Sequence, residues 1–339
     1  MEYLIYFIFT VLFSFFANKK SLMPNYTGNN HQKFLNSQNV PLIGGFILLL
    51  SLIFISLNKD SLNIFFYILI FLIGFLSDSK KLSSPKLRLI LQLLIIIFFV
   101  VYFDIHVTPT RIELIDKFLD NNQLSLILTI FCFLVLINGS NFIDGLNGLL
   151  LGYFLIVFLN LDKADISISF GFSYSEINFL VFSLILILIF NLLNYFFLGD
   201  GGSYLIAIFF GYLLISIYNK SSDISPYYII LLLWYPCFEI LFSFLRKYLC
   251  NKSPMKPDNQ HLHQLLFSYY KKKFTSLNKY HANILSSMSI NIFNLLIINL
   301  ASTNPNLTTL QIKIIFFAVI IYFLTYFCLS KNLKLKLKE

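Results

Sequence analysis

The chain has 339 residues, 58% of them hydrophobic and only 12% charged, with a net charge of +9 and a mean hydropathy of +0.77. Soluble domains carry roughly a quarter of charged residues, so this composition excludes an ordinary water-soluble globular protein. The basic excess sits in short clusters between apolar runs, which reads as a membrane-orientation signal and argues against nucleic acid binding.

The first element follows "MEY", which lacks the basic start of a signal peptide. Its apolar run ends in "FFANKK", with the positive charges on the wrong side for cleavage and export, so a spanning helix is predicted over 2–17. Further apolar runs of about bilayer-crossing length predict spans at 40–58, 61–77, 86–104, 123–140, 146–162, 176–195, 203–219, 226–245, 283–301 and 311–329. The expected fold is an all-α polytopic integral membrane protein of about eleven transmembrane helices. One catalytic domain is expected over 1–330 and a basic cytoplasmic tail over 331–339. The single Trp234 and some of the tyrosines are candidates for the membrane interfaces. Cys132, Cys237, Cys250 and Cys328 show no CxxC spacing and read as small buried hydrophobes.

An odd number of spans puts the termini on opposite sides. With the N-terminus outside, 19 of the 25 Lys and Arg fall inside, including Lys80, Lys81, Lys86, Arg88 and the tail "KNLKLKLKE". That bias follows the positive-inside rule. Ten of the 16 carboxylates fall outside, whereas Asp78, Asp144 and Asp200 all stand at inner helix ends within polar motifs.

Those motifs carry the chemistry. In "NGSNFIDGLNG", Asn138, Asn141 and Asp144 are spaced i, i+3, i+6 and are predicted to share one helical stripe. Their oxygens suit a hard cation, and the amides can donate to phosphate. In "LGDGGSYL", Asp200 is predicted to precede a helix starting near Ser203, where an N-terminus favours phosphate and a carboxylate can hold its counter-ion. Asp78 is placed in a loop beside Lys80 and Lys81. His261 and His263, two apart in "PDNQHLHQLLF", would diverge on a helix, while a loop would let both face an anion. Each piece alone has a bland reading as a cap or a solvated turn; together they point to a phosphorylated substrate and a divalent ion.

In chain order, "PLIGGF", "GFLSDxxxLSSPKLRLxLQ", "NxxNFxDGLxGL", "GDGGSYL" and "PDxxHLHQLL" resemble the polyprenyl-phosphate sugar-1-phosphate transferases, the MraY/WecA group or glycosyltransferase family 4. The resemblance implies a cytoplasmic-face active site that joins a UDP-linked N-acetylated sugar to a polyprenyl phosphate such as undecaprenyl phosphate. It implies Mg2+, with Mn2+ as a substitute, and is compatible with a homodimer. It assigns catalytic roles to Asp78, Asp144 and Asp200, and metal binding to Asp200 with Asn141. Substrate contacts would come from Asn138, Asn141, Asn191, His261 and His263. The implied location is a bacterial inner membrane with the N-terminus in the periplasm.

The chain departs from the family pattern at several positions. Ser77 replaces the first member of an Asp-Asp pair, Asn147 stands where a second Asp is common, and Gln264 stands where a third His is common. Leu35 and Leu42 occupy positions where relatives often carry His and Arg. The competing readings are a secondary transporter of an anionic solute, an inactive relative and a non-catalytic scaffold. "DGLNGL" lacks the arginine of the CDP-alcohol phosphotransferase signature.

Overall fold

A computed structural model of the chain describes residues 1–20, 22–23, 40–57, 61–107, 109–221, 223–251, 253 and 258–333. The readings made on Lys33, Leu35, Lys59, Asp60, Pro257 and 334–339 therefore lie outside the described residues. The elements are α1 (Glu2–Lys19), α2 (Gly44–Ser56), α3 (Ser61–Asp78), α4 (Pro85–Tyr102), α5 (Glu113–Leu119), α6 (Asn122–Ile143), α7 (Leu149–Leu159) and α8 (Lys163–Phe170). They continue with α9 (Tyr174–Leu192), α10 (Gly199–Lys220), α11 (Pro226–Leu232), α12 (Trp234–Leu249), α13 (Leu262–Lys273), α14 (Lys279–Ser302) and α15 (Thr308–Asn332). No strand occurs among the described residues.

The all-helical, multi-pass reading holds, and fewer helices than the eleven predicted are by length and composition able to cross a membrane. Among the described residues, seven helices (α1, α4, α6, α9, α10, α14 and α15) are long and apolar enough to cross a membrane, and the bent pair α11–α12 adds an eighth. The other predicted segments form α2, the Asn63–Asp78 part of α3, and α7, which are apolar but shorter. At about 1.5 Å per residue, the 13 residues of α2 and 11 of α7 fall well short of a hydrocarbon core of roughly 30 Å.

The predicted single span 226–245 is broken because Pro236 falls in the first turn of α12, leaving a 75° bend after Leu232. Proline has no amide proton to return to the Leu232 carbonyl. The Tyr153 hydroxyl of α7 donates to that carbonyl instead, at 3.0 Å. Trp234 is buried at the break, not at an interface, and its indole N–H donates to Asn294 Oδ1 at 3.0 Å.

The central element is α10, nearly all of whose side chains are buried and which packs against α2, α3, α6 and α8. A helix that is apolar on every side belongs at the middle of a bundle. Small residues let its start approach its neighbours closely, as Gly74 of α3 meets Gly201 and Gly45 of α2 meets Gly202. The outward faces carry exposed Phe15, Phe98, Phe316 and Leu324, which suits lipid as the solvent. All four cysteines are free thiols.

Candidate active site

The site begins where α3 ends against the start of α10. Asp200 does not precede its helix as expected, because α10 begins at Gly199 and Asp200 lies in its first turn. The N-terminal amides are capped from another helix. Asp78 Oδ1 accepts the Asp200 N–H at 3.0 Å and Asp78 Oδ2 accepts the Gly201 N–H at 3.2 Å. This is anion recognition by a helix N-terminus, performed by the protein's own carboxylate. Gly199 permits it, because its φ of +77° favours glycine and a Cβ there would lie 2.7 Å from Asp78 Oδ2.

Asp200 in turn is held by the residue that departs from the family pattern. Ser77 Oγ donates to Asp200 Oδ2 at 2.6 Å, and Arg88 Nη1 reaches both Ser77 Oγ at 2.6 Å and Asp200 Oδ2 at 2.8 Å. An aspartate at position 77 would set a like charge against Asp200, whereas the hydroxyl donates to it. Arg88 serves the site as well as the charge bias between the two sides. Its place in "LSSPKLR", on the first turns of a helix capped by Ser84 with Pro85 at its start, brings it back over Asp78 and Asp200.

The end of α6 supplies the next group. The predicted single stripe is split, because each step of three residues falls about 60° short of a full turn. Asn138 faces α4, donating to Gln92 Oε1 at 3.0 Å, while Asn141 faces α10, donating to the Tyr204 hydroxyl at 3.2 Å. Asp144 is half-buried at the C-cap of α6. Burial, then the charges of Asp200 and Asp78, pushes its carboxyl well above the ordinary carboxylate range. The three aspartates thus feel one another at a single end of the bundle.

Asn191 serves the loop beyond. Its Oδ1 accepts the Gly148 N–H at 2.6 Å, its backbone carbonyl accepts Asn147 Nδ2 at 3.1 Å, and its own Nδ2 donates to Phe196 O at 3.5 Å. The geometry makes it a fastener of the 144–148 turn. Asn147 also donates to Asn194 Oδ1 at 2.6 Å, and an aspartate in its place could donate neither there nor to the Asn191 carbonyl. Removing the acceptor of a buried amide costs about 1–3 kcal/mol. Asn191→Ala is accordingly expected to lower stability by about that amount, read as a fall in the thermal unfolding midpoint in detergent.

The two histidines end side by side. His261 is the N-cap of α13 with extended backbone (φ −74°, ψ 149°), so the rings do not diverge as on a helix. They stack with centroids 5.6 Å apart. Gln264 takes the place of a third histidine and accepts the His261 N–H at 3.3 Å, capping the helix. His261 Nδ1 lies 3.0 Å from Glu239 Oε1 and its Nε2 lies 3.4 Å from Asp258 Oδ1. Burial of Asp258 opposes its ionisation, yet the charges of His261, Arg246 and Lys247 hold its carboxyl below the ordinary range. His263 is fully buried with both ring nitrogens unpartnered, and burial pushes its imidazole down to about 3. A Cβ on Gly145 would lie 3.0 Å from His263 Nε2, and the Phe142 ring sits 5.0 Å from that of His261, so the histidine turn abuts the Asp144 loop.

Among the described residues, no group of three or more His, Cys, Asp or Glu is arranged to hold a metal ion unaided. The donor chemistry nevertheless fits a magnesium-type ion, which commonly takes one or two carboxylates plus substrate phosphates. Asp200 Oδ2 is engaged by Ser77 and Arg88, whereas Asp200 Oδ1, the Asp144 carboxylate and Asn141 Oδ1 accept no hydrogen bond from the described residues.

A family model described as glycosyl transferase family 4 matches residues 61–218, the stretch that holds Asp78, Arg88, Asn138, Asn141, Asp144, Asn191 and Asp200. The chain is 28% identical over 295 residues to an undecaprenyl-phosphate alpha-N-acetylglucosaminyl 1-phosphate transferase of Thermotoga maritima, covering 87% of each protein. It is 26% identical over 277 residues to the protein of that name from Escherichia coli K12, covering 77% of this chain and 74% of that one. A probable undecaprenyl-phosphate N-acetylglucosaminyl 1-phosphate transferase of Bacillus subtilis is 28% identical over 222 residues, 59% of this chain and 56% of that protein. Motifs, geometry and relatives all point to one resemblance, to glycosyl transferase family 4.

Proposed function

We propose that the protein transfers a sugar 1-phosphate from a UDP-linked N-acetylated sugar to undecaprenyl phosphate, giving a lipid-linked diphosphosugar and UMP. The relatives' names support the lipid acceptor and the transfer. The observation that carries the reading is the meeting of Asp78, Arg88, Asn141, Asp144 and Asp200 around the start of α10.

An oxygen of the acceptor phosphate attacks the sugar-linked β-phosphorus. A new P–O bond forms, the bond from that phosphorus to the bridging oxygen breaks, and UMP departs with the electron pair. A phosphate monoester, with a second pKa of about 6, is already ionised at neutral pH, so no strong base is required. The obstacle is the approach of two anions. Arg88 places a cation beside Asp200, and Asn141 and the histidine turn border the same space. Asp200 Oδ1, Asn141 Oδ1 and Asp144 are the oxygens left to hold a divalent ion. When bound, magnesium supplies charge neutralisation and polarises phosphoryl oxygens. Asp78 fixes the start of α10 and thereby the direction of Asp200.

We place this end of the bundle in the cytoplasm of a bacterial inner membrane. Lys80, Lys81, Lys86 and Lys271–Lys273 flank the site's helix ends, whereas α5 and α8 carry Glu113, Asp116 and Asp165 near the opposite ends of α6 and α10.

Purified protein in nanodiscs, given undecaprenyl phosphate, Mg2+ and a panel of UDP-N-acetylhexosamines, is expected to release UMP and form lipid-linked sugar with at least one donor. No UMP from any donor, or solute flux through proteoliposomes without UMP, would replace this reading with the inactive relative or the transporter.

A further inference from the structure

Glu239 lies between Phe238 and Ile240 of α12 and is almost completely buried, at 1% exposure. A carboxylate taken out of water costs several kcal/mol unless paired and hydrogen-bonded, and an apolar side chain of similar size would serve stability as well. Every contact of Glu239 leads to the histidine turn or to the last helix. Its Oε1 accepts the Leu262 N–H at 3.2 Å, which caps the start of α13 from outside, and the same oxygen lies 3.0 Å from His261 Nδ1. Its Oε2 accepts the Tyr322 hydroxyl of α15 at 2.9 Å. Glu239 and Tyr322 both lie outside the stretch matched by the family model.

We propose that Glu239 is a positioning residue for the His261–His263 turn, locked in its own rotamer by Tyr322, and that it sets affinity for the nucleotide-sugar donor without touching it. The contact with Oε1 fixes the proton on His261 Nδ1, and with it the ring plane. The ring of His263 stacks on that plane and meets Gly145, next to Asp144. The chain of contacts therefore runs from α15 through α12 to the catalytic loop, and the bend at Leu232 is what swings α12 so that Glu239 reaches the start of α13. Asp258, on the other side of His261, is held by Arg246 Nη2 at 2.7 Å, so the imidazole is bracketed by two anchored carboxylates.

The assignment to donor affinity rests on the proposed transferase reading; the positioning itself does not, and the test separates them. Glu239→Gln keeps the shape and loses the charge. It is expected to raise KM for the UDP-sugar by about tenfold while KM for undecaprenyl phosphate stays within about twofold. Tyr322→Phe, which removes only a hydroxyl and leaves the packing, is expected to shift the donor KM in the same direction by about threefold. Combined with His261→Ala, Glu239→Gln is expected to add no further loss, since the two act as one unit. Without substrate, hydrogen exchange of the 258–266 segment is expected to quicken in both Glu239→Gln and Tyr322→Phe. Unchanged exchange in both variants, equal movement of the two KM values, or additive losses with His261→Ala overturns the proposal. Quickened exchange in a protein that turns over no donor instead leaves the positioning intact and removes the transferase reading.

Discussion

Asp200→Asn is expected to slow UMP release at saturating substrates by about a thousandfold, with little change in the unfolding midpoint. The substitution keeps the volume and an acceptor for Ser77, so the start of α10 retains its packing. What it removes is charge. Asp200 pairs with Arg88 at 2.8 Å through one oxygen, and its other oxygen accepts no hydrogen bond from the described residues. A neutral amide neither balances Arg88 nor serves as an anionic oxygen ligand for a hard cation. Because the reaction brings two phosphates together, loss of a group that organises positive charge falls on the transition state more than on binding. Single-turnover UMP release and KM for each substrate check this. Retention of a tenth of the wild-type rate would show that Asp200 is only a structural partner of Arg88.

Gly74→Ala is expected to lower stability by about 3 kcal/mol and activity by about a hundredfold, although Gly74 touches no substrate. A Cβ at Gly74 would overlap the N and Cα of Gly201 and the carbonyl carbon of Asp200. All three are backbone atoms of the buried central helix, so neither side can rotate away. The helices must separate, and Asp78, one turn further along α3, then leaves the amides of Asp200 and Gly201. A misplacement of about 1 Å is enough for a large loss of rate. The thermal midpoint and specific activity of the purified variant measure the two effects. A variant with unchanged activity would separate the Asp78 cap from catalysis.

What the sequence determined by itself is of two kinds. Apolar runs of bilayer length, separated by Lys and Arg clusters, specify a multi-pass helical protein, because each helix must satisfy its backbone internally to exist in lipid. The aspartate motifs at helix ends were legible too, since carboxylates beside apolar runs are costly without a use. The tertiary structure decided the partnerships. Asp78 capping α10, Ser77 and Arg88 holding Asp200, Asn191 fastening the 144–148 turn, and Glu239 reaching His261 each join side chains far apart in the chain. It also decided that α2 and α7 stop short of a full crossing and that α11–α12 bends, because Pro236 can forgo its bond only where Tyr153 replaces it. Helix formation is governed by near neighbours and the surrounding solvent, so it is written along the chain; hydrogen bonds between helices depend on which faces meet, and that is settled only by packing.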